Sequence, residues 1–127
     1  MEIAKQKGCA ALALPTTERW FGKAFLEANP VTATRFQETI SRTSLEGYIG
    51  CAQAIQQMNF LEHLPKIQTR TTLIVGGNDA PLPETMKDIQ SRINGASLEL
   101  IPNAGHLPNI DQANFFNAAL LRHLKTD

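Results

Sequence analysis

Apolar residues in the first half of the chain recur at the spacing of an α-helix. The stretch TTERWFGKAF carries three aromatic residues at helical spacings, and TSLEGYIGCAQAIQQM has an apolar residue every three or four positions. The apolar positions are Trp20, Phe21 and Phe25 in the first stretch and Tyr48, Cys51, Ala52 and Ile55 in the second. Each pattern predicts a helix with one apolar face.

Helix-breaking and capping residues predict where these helices begin and end. Residues 1–14 are rich in alanine, leucine and lysine, and we expect Pro15 to end or interrupt the helix that they form. Asn29 followed by a proline is typical of an N-cap and a first helical residue. Thr43 and Glu46 have the spacing of a capping box, so we expect the next helix to be capped by Thr43.

The pattern changes after residue 66. TTLIVGG predicts a buried strand over residues 72–75, and ASLELIP predicts a second strand over residues 97–101. PETMKDIQSRI and DQANFFNAALLRHL have helical patterns, and Asp111 is the expected N-cap of the last helix. The expected apolar side of that helix comprises Phe115, Ala119 and Leu120. The order strand, helix, strand, helix predicts parallel strands joined by a right-handed crossover.

Two parallel strands are too few to form a stable sheet by themselves, because such strands are normally covered on both faces and flanked by neighbours. The strand over residues 72–75 would leave an edge of backbone donors and acceptors unpaired. We therefore expect an α/β fold in which the βαβα unit is one side of a larger sheet. The chain is assigned a helical segment, residues 1–66, followed by the βαβα unit, residues 67–127.

Composition and charge narrow the class of protein. With 43% hydrophobic and 19% charged residues, the chain has the composition of a globular domain. Twelve basic and twelve acidic side chains cancel, so charge gives no reason to expect nucleic acid or an anionic membrane as a partner. No apolar run approaches the roughly 20 residues of a membrane helix, so we expect no membrane association.

The cysteines and histidines give no sign of a metal site. Cys9 and Cys51 lie in apolar, helix-like contexts without ligand spacing, and we expect both to be buried free thiols of a cytoplasmic protein. His63, His106 and His123 are scattered along the chain, so we expect no metal and no cofactor. The segment MEIAKQKGCAALALP lacks a convincing cleavage site, and we expect no signal peptide.

Two polar residues follow the predicted strands on neighbouring loops. Asp79 lies in GGNDAPLP after the first strand, and His106 lies in PNAGH after the second. Adjacent parallel strands are about 5 Å apart, so the two loops should emerge side by side. An aspartate there can accept a hydrogen bond from the imidazole and fix its tautomer. Taken singly, each residue is also ordinary turn chemistry.

Residues 71–124 resemble the C-terminal segment of α/β-hydrolase-fold enzymes. The pattern is a strand, G-x-x-D-x-x-x-P, a helix, a strand ending in A-G-H, and a final helix. Upstream, ERWFGKAF, RTSLEGYIGCAQAI and FLEHLPKI resemble the cap and its join to the core in 3-oxoadipate enol-lactonases. The resemblance implies that Asp79 is the triad acid and His106 the general base, and that Trp20 helps to roof the substrate pocket. It implies a small lactone or ester substrate and a role in the β-ketoadipate pathway of aromatic catabolism.

The nucleophile of that family is a serine in G-x-S-x-G, and this sequence does not contain the motif. The four serines are Ser41, Ser44, Ser91 and Ser97. IGCAQ around Cys51 lacks the second glycine, so it is not a substitute. We expect the missing motif and the oxyanion-hole loop to belong to strands that would precede Met1, with the chain beginning inside the cap.

Two hypotheses therefore remain open. In the first, the chain is the C-terminal part of a lactonase-like hydrolase: a truncated gene product, a fragment, or one piece of a split enzyme that works with a complementing N-terminal fragment. In the second, it is a non-catalytic domain that self-associates, with strand 72–75 pairing with its copy across a two-fold axis, or that binds a small carboxylate. The first hypothesis predicts ester hydrolysis when a G-x-S-x-G segment is added, and the second predicts a dimer.

Overall fold

The computed structural model describes residues 1–125, which fall into two compact units. The first unit, Met1–Asn59, is helical, and the second, which begins at Phe60, contains the sheet. The assignment of residues 1–66 as a cap and 67–127 as a core concerns their roles and stays a prediction.

The first unit contains five α-helices and one 3₁₀ turn. They are α1 (Glu2–Lys7), a 3₁₀ turn (Cys9–Leu12), α2 (Ala13–Phe21), α3 (Lys23–Ala28), α4 (Pro30–Ser41) and α5 (Leu45–Gln57). Gly8 and Gly22 have φ values of 74° and 78°, a region that favours glycine, and they separate successive helical segments. The helix expected over TTERWFGKAF is therefore two helices, divided at Gly22.

Pro15 does not end a helix. It is the third residue of α2, which begins at Ala13. The N–H groups of a first helical turn have no partner within the helix, so a proline there removes no hydrogen bond. The expected break lies instead at Gly8, where the backbone leaves α1.

The predicted N-cap of α4 has the right position but a different contact. Asn29 precedes α4 and Pro30 is its first residue, as predicted. The Asn29 side chain makes no capping hydrogen bond to α4, and its Nδ2 instead donates to the carbonyl of Phe25 at 2.9 Å. Asn29 thus closes α3 with its side chain and begins α4 with its backbone.

The capping box predicted at Thr43 was placed one residue too early. Ser44 is the N-cap of α5, and its Oγ accepts the N–H of Gly47 at 3.0 Å. The Thr43 hydroxyl instead donates to the carbonyl of Thr39 at 3.2 Å, in the last turn of α4. The Thr43 side chain is therefore directed back to α4, and the residue that follows it caps α5.

Aromatic contacts organise the interior of the first unit. Phe21 stacks on Phe25 and meets Phe36 edge-on, with ring centroids 5.1 Å apart in each pair. Thr17 is fully buried, and its hydroxyl donates within α2 while accepting from Gln37 of α4 at 3.3 Å. These contacts fix α2 against α3 and α4.

The two cysteines have different environments, which corrects the expectation that both are buried. Cys9 is buried, whereas Cys51 on α5 is exposed, and both are free thiols. No residue of α5 is buried, and Ile55 on its predicted apolar face is 65% exposed. The predicted helix is therefore present, but no other element of the first unit buries its apolar face.

The second unit contains the predicted parallel pair of strands. Its elements are a 3₁₀ turn (Leu61–Lys66), β1 (Thr72–Gly76), α6 (Leu82–Arg92), β2 (Ser97–Ile101), α7 (Pro108–Asp111) and α8 (Ala113–Leu124). β1 and β2 are parallel and in register, from Thr72 opposite Ser97 to Gly76 opposite Ile101. The predicted strands and their direction are confirmed, and their carboxyl ends finish level.

The sheet of residues 1–125 has two strands, so each strand has one edge without a strand partner among the described residues. Its core is small: Ile101, Ala104 and Ala119 are buried together, with Ile74 packed against them. Of the expected apolar side of α8, only Ala119 is buried, and Phe115 is 53% exposed. No helix within the described residues combines the length and apolarity needed to cross a membrane.

Candidate active site

Backbone hydrogen bonds hold the two strand-end loops together. Past the end of β1, Gly77 donates its N–H to the carbonyl of Ile101 at 2.8 Å. One residue further, Asn78 donates its N–H to the carbonyl of Ala104, also at 2.8 Å. The loop that carries Asp79 is therefore attached by its backbone to the loop that carries His106.

Gly76 permits this close approach. A Cβ atom at this position would collide with the backbone carbonyl oxygens of Gly105 and Ala104. Backbone atoms cannot move aside as the end of a flexible side chain can. The last residue of β1 therefore has to be a glycine for the His106 loop to lie where it does.

Asp79 is buried and its backbone is bonded on both sides. Its N–H donates to the carbonyl of Gly76 at 3.2 Å, and its own carbonyl accepts the N–H of Leu82 at 2.8 Å. The residue is 6% exposed. A buried carboxylate needs a hydrogen-bonding or charged partner, and the neighbouring loop supplies one.

That partner is His106, whose Nδ1 lies 2.7 Å from Oδ2 of Asp79. The loop reaches this point through a turn at Asn103, which has a φ of 57°, a conformation that asparagine tolerates. An ionised carboxylate only accepts hydrogen bonds, so Nδ1 carries a proton, and in the neutral form of the imidazole Nε2 then carries the lone pair. The His106 side chain is 31% exposed against 5% for Asp79, so solvent reaches the imidazole far more than the acid.

Asp111 is a further polar residue at this site, and its predicted role as the N-cap of the last helix is wrong. It ends the short helix α7, and Gln112 is the N-cap residue of α8. Its Oδ2 accepts the N–H of Gly105 at 2.6 Å. The proline in HLPNID, Pro108, was the signal for a separate helical turn, since proline is common at the start of a helix.

Burial raises the pKa of the Asp111 carboxyl above its ordinary value. The backbone N–H groups of Gly105, Asp111 and Gln112 act in the opposite direction but do not outweigh the loss of hydration. Oδ1 is buried and accepts no hydrogen bond from any group in residues 1–125. Asp111 is thus a carboxylate that folding places in an unfavourable environment.

Trp20 belongs to the first unit, on α2, where it is half-buried. It meets Phe36 edge-on at 6.4 Å between ring centroids. Trp20 also lines a cavity of about 220 Å³ within that unit. The other lining residues are Cys9, Leu12, Thr16, Ile40, Thr43 and Tyr48. None of the lining residues is Asp, Glu, Lys, Arg or His, so the cavity suits a neutral molecule.

Two polar residues of the second unit, Ser97 and His123, make their contacts at the far end of the strands from the Asp79–His106 pair. His123 on α8 contacts Thr72 at the opposite end of β1, with its Nδ1 2.8 Å from Oγ1, and Thr72 Oγ1 lies 2.8 Å from Ser97 Oγ. Exposed His63 lies beside Lys66. Across the described part of the chain, no three His, Cys, Asp or Glu side chains come together as metal ligands.

Comparisons with known proteins match nearly the whole chain. The sequence is 27% identical over 122 residues to 3-oxoadipate enol-lactonase 2 of Acinetobacter baylyi, covering 94% of this chain and 45% of that protein. It is 29% identical over 116 residues to 3-oxoadipate enol-lactonase 1 of the same organism, covering 91% of this chain and 43% of that protein. The chain therefore spans about half the length of the curated relatives that it matches.

A solved structure also matches nearly the whole chain and about half of its own length. The enol-lactonase of Burkholderia xenovorans matches with a TM-score of 0.92 and 26% identity, over 98% of this chain and 48% of that one. A family model described as the alpha/beta hydrolase family matches residues 5–119. A strand-end acid and histidine in contact, a parallel strand pair and this match together lead to one conclusion: the chain belongs to the alpha/beta hydrolase family.

Proposed function

We propose that the chain supplies the acid and the general base of a Ser-His-Asp site that hydrolyses a small lactone or carboxylic ester. His106 takes the proton of a serine hydroxyl through Nε2 as the serine attacks the carbonyl, and later returns it to the leaving oxygen. Asp79 holds the imidazole in the tautomer with its proton on Nδ1 and stabilises the imidazolium that forms.

The observation that carries the proposal is the 2.7 Å contact between Nδ1 of His106 and Oδ2 of Asp79. Both residues stand on loops at the carboxyl ends of parallel strands, where α/β proteins place reactive groups. The curated relatives are named as enol-lactonases, which supports a lactone as the substrate class.

The proposal requires a nucleophile from a segment other than these 127 residues. None of the four serines stands in G-x-S-x-G, and Ser97 begins β2, at the end remote from the His106 loop. In a serine hydrolase, loss of the nucleophile lowers turnover about 10⁶-fold. We therefore expect the chain alone to hydrolyse esters at a rate near background.

The helical segment, residues 1–66, is proposed to cap the substrate, with Trp20 contributing to the substrate pocket. Support comes from the uncharged cavity of about 220 Å³ that Trp20 lines. A lactone is neutral at the ester group, and aromatic and apolar side chains are the usual lining of a small-molecule pocket. The βαβα segment, residues 67–127, is proposed as the part of the core that carries the acid and the base of a cytoplasmic enzyme.

Reconstitution tests the proposal directly. The chain is co-expressed with a G-x-S-x-G segment taken from the part of the Burkholderia xenovorans enol-lactonase that this chain does not cover, and hydrolysis of p-nitrophenyl acetate and of an enol-lactone is measured. We expect hydrolysis by the complex and none by either piece. His106→Ala should lower kcat by up to about 10⁶-fold and Asp79→Asn by about 10⁴-fold.

Two exposed residues provide matched controls. His63→Ala and Asp88→Asn remove the same side-chain types at positions whose side chains contact Lys66 and Arg92 instead, and both should leave kcat unchanged. A stable, correctly folded complex whose hydrolysis is insensitive to His106→Ala would contradict the proposal.

The second candidate function is a non-catalytic domain that self-associates. One observation favours it: β1 has one edge without a strand partner among residues 1–125, and such an edge can pair with a copy of itself. Light scattering separates the candidates, because a monomer in solution contradicts edge pairing and a discrete two-fold dimer supports it.

A further inference from the structure

One peptide group of the His106 loop is held from both sides. The carbonyl oxygen of Ala104 accepts the N–H of Asn78 at 2.8 Å, and the N–H of Gly105 donates to Oδ2 of Asp111 at 2.6 Å. These two atoms belong to the same planar peptide unit. Its orientation is therefore set by the Asp79 loop at one end and by α7 at the other.

This peptide group immediately precedes His106. Ala104 and Gly105 are both buried, and Ala104 belongs to the small core of the second unit. With the plane fixed, the direction in which the chain leaves Gly105 is fixed as well, and that direction determines where the imidazole points. A rotation of the plane would move Nδ1 away from the Asp79 carboxylate.

The Asp111 carboxylate is poorly explained as a contribution to stability. Oδ1 is buried and accepts no hydrogen bond from the described residues, and burial of a carboxylate opposes folding. A leucine or alanine would avoid that cost at the end of α7. The short, directed contact to the Gly105 N–H is therefore the observed interaction that gives this carboxylate a role in the loop.

We propose that Asp111 is a positioning residue for His106: through the Gly105 N–H, its carboxylate orients the Ala104–Gly105 peptide so that the imidazole meets Asp79. Asp111 touches no reacting atom in this arrangement. Its importance for catalysis rests on the proposed function, whereas its effect on the orientation of His106 does not.

The test uses the 127-residue chain labelled with ¹⁵N, with the imidazole nitrogens of His106 observed by NMR. In the wild type we expect the tautomer with the proton on Nδ1. Asp111→Ala removes the charged acceptor of the Gly105 N–H, so the peptide before His106 loses its fixed orientation. Exchange of the Nδ1 proton of His106 should then become about tenfold faster or more, and the two tautomers should mix. Asp111→Asn keeps an acceptor for Gly105 and should retain the wild-type signal.

Asp88→Ala is the matched control, since it removes an exposed carboxylate that pairs with Arg92 on α6; it should leave the His106 signal unchanged. Asp79→Asn is the positive control. If Asp79→Asn alters the His106 signal and Asp111→Ala does not, the positioning role is overturned while the His106–Asp79 pairing stands. If neither variant alters it, the pairing that underlies the proposed function fails.

A measurement on the wild type keeps the inference testable if Asp111→Ala does not fold. The Gly105 amide should exchange with solvent about tenfold or more slowly than the amides of exposed loop residues, because its N–H is bonded to the carboxylate. Exchange of Gly105 as fast as that of an exposed amide would overturn the proposal.

Discussion

At the scale of single residues, the adjacent glycines Gly76 and Gly77 have unequal roles. A Cβ atom on Gly76 would overlap the backbone carbonyls of Ala104 and Gly105, whereas a Cβ on Gly77 would lie 3.3 Å from the carbonyl oxygen of Ile101. The first clash requires one loop to move, and the second requires an adjustment of a few tenths of an ångström. Only Gly76 is therefore tied to the geometry of the candidate site.

We expect Gly76→Ala to lower the free energy of unfolding by about 3 kcal/mol, because a methyl group is forced against fixed backbone. Gly77→Ala is the paired comparison and should cost about 1 kcal/mol or less. Urea denaturation of the two variants measures the difference. Equal losses would show that the loops are not packed as tightly as described.

The raised pKa of Asp111 predicts a pH dependence of stability. A carboxyl whose pKa is higher in the folded state contributes stability that is fully present below its ordinary value of 3.8 and is lost as pH rises through the raised value. Asp111→Asn removes this titration. The variant should therefore gain stability relative to the wild type as the pH rises above 3.8, measured by urea denaturation at several pH values. A difference that does not change with pH would contradict the burial effect.

At the scale of elements, the sequence predicted the sheet better than the helix ends. Both strands, their parallel direction and the approach of Asp79 to His106 followed from short apolar runs and from the rule that parallel strands place their following loops at one edge. These features depend on patterns several residues long. The position of a strand-end loop is then a consequence of chain direction.

Helix boundaries were predicted less well because they depend on single contacts made in three dimensions. Thr43 and Ser44 are both acceptable caps in sequence, and the contact of Thr43 with α4 decides between them. Pro15 is compatible with either the end or the first turn of a helix. Asp111 resembled a cap, yet its acceptor position is taken by Gly105, which is six residues earlier in the chain.

The cap of α5 gives a prediction at this scale. Ser44→Ala should lower the free energy of unfolding by about 1 kcal/mol, because the Gly47 N–H loses its acceptor. Thr43→Ala, which removes the hydroxyl predicted from sequence to be the cap, should cost less than half as much as Ser44→Ala. Thermal or urea unfolding followed by circular dichroism compares them. A larger loss for Thr43→Ala would restore the original assignment of the cap.

At the scale of the whole molecule, a balanced charge and exposed apolar surface both favour association between molecules. The formal net charge is zero and the isoelectric point is about 6.8. Large apolar side chains are exposed in the second unit, among them Leu100 at 52%, Phe115 at 53% and Leu124 at 64%. Near zero net charge, little electrostatic repulsion opposes contact between such surfaces.

We expect non-specific association to be strongest near pH 6.8 and to weaken when the pH is moved by about two units in either direction. Light scattering as a function of pH measures it. A dimer formed by pairing of β1 edges is held by backbone hydrogen bonds and should persist at the higher pH with a fixed mass. Association that is independent of pH and unlimited in size agrees with neither description.

The level ends of β1 and β2 constrain how this sequence can change. Asp79 stands three residues after Gly76, and His106 stands five residues after Ile101, the position opposite Gly76. An inserted or deleted residue in either loop cannot be absorbed by sliding a strand, because a slip of one residue turns every strand side chain to the other face. Length variation among descendants of this chain should therefore accumulate around α6 and spare the two short loops, whose residue counts are linked to each other.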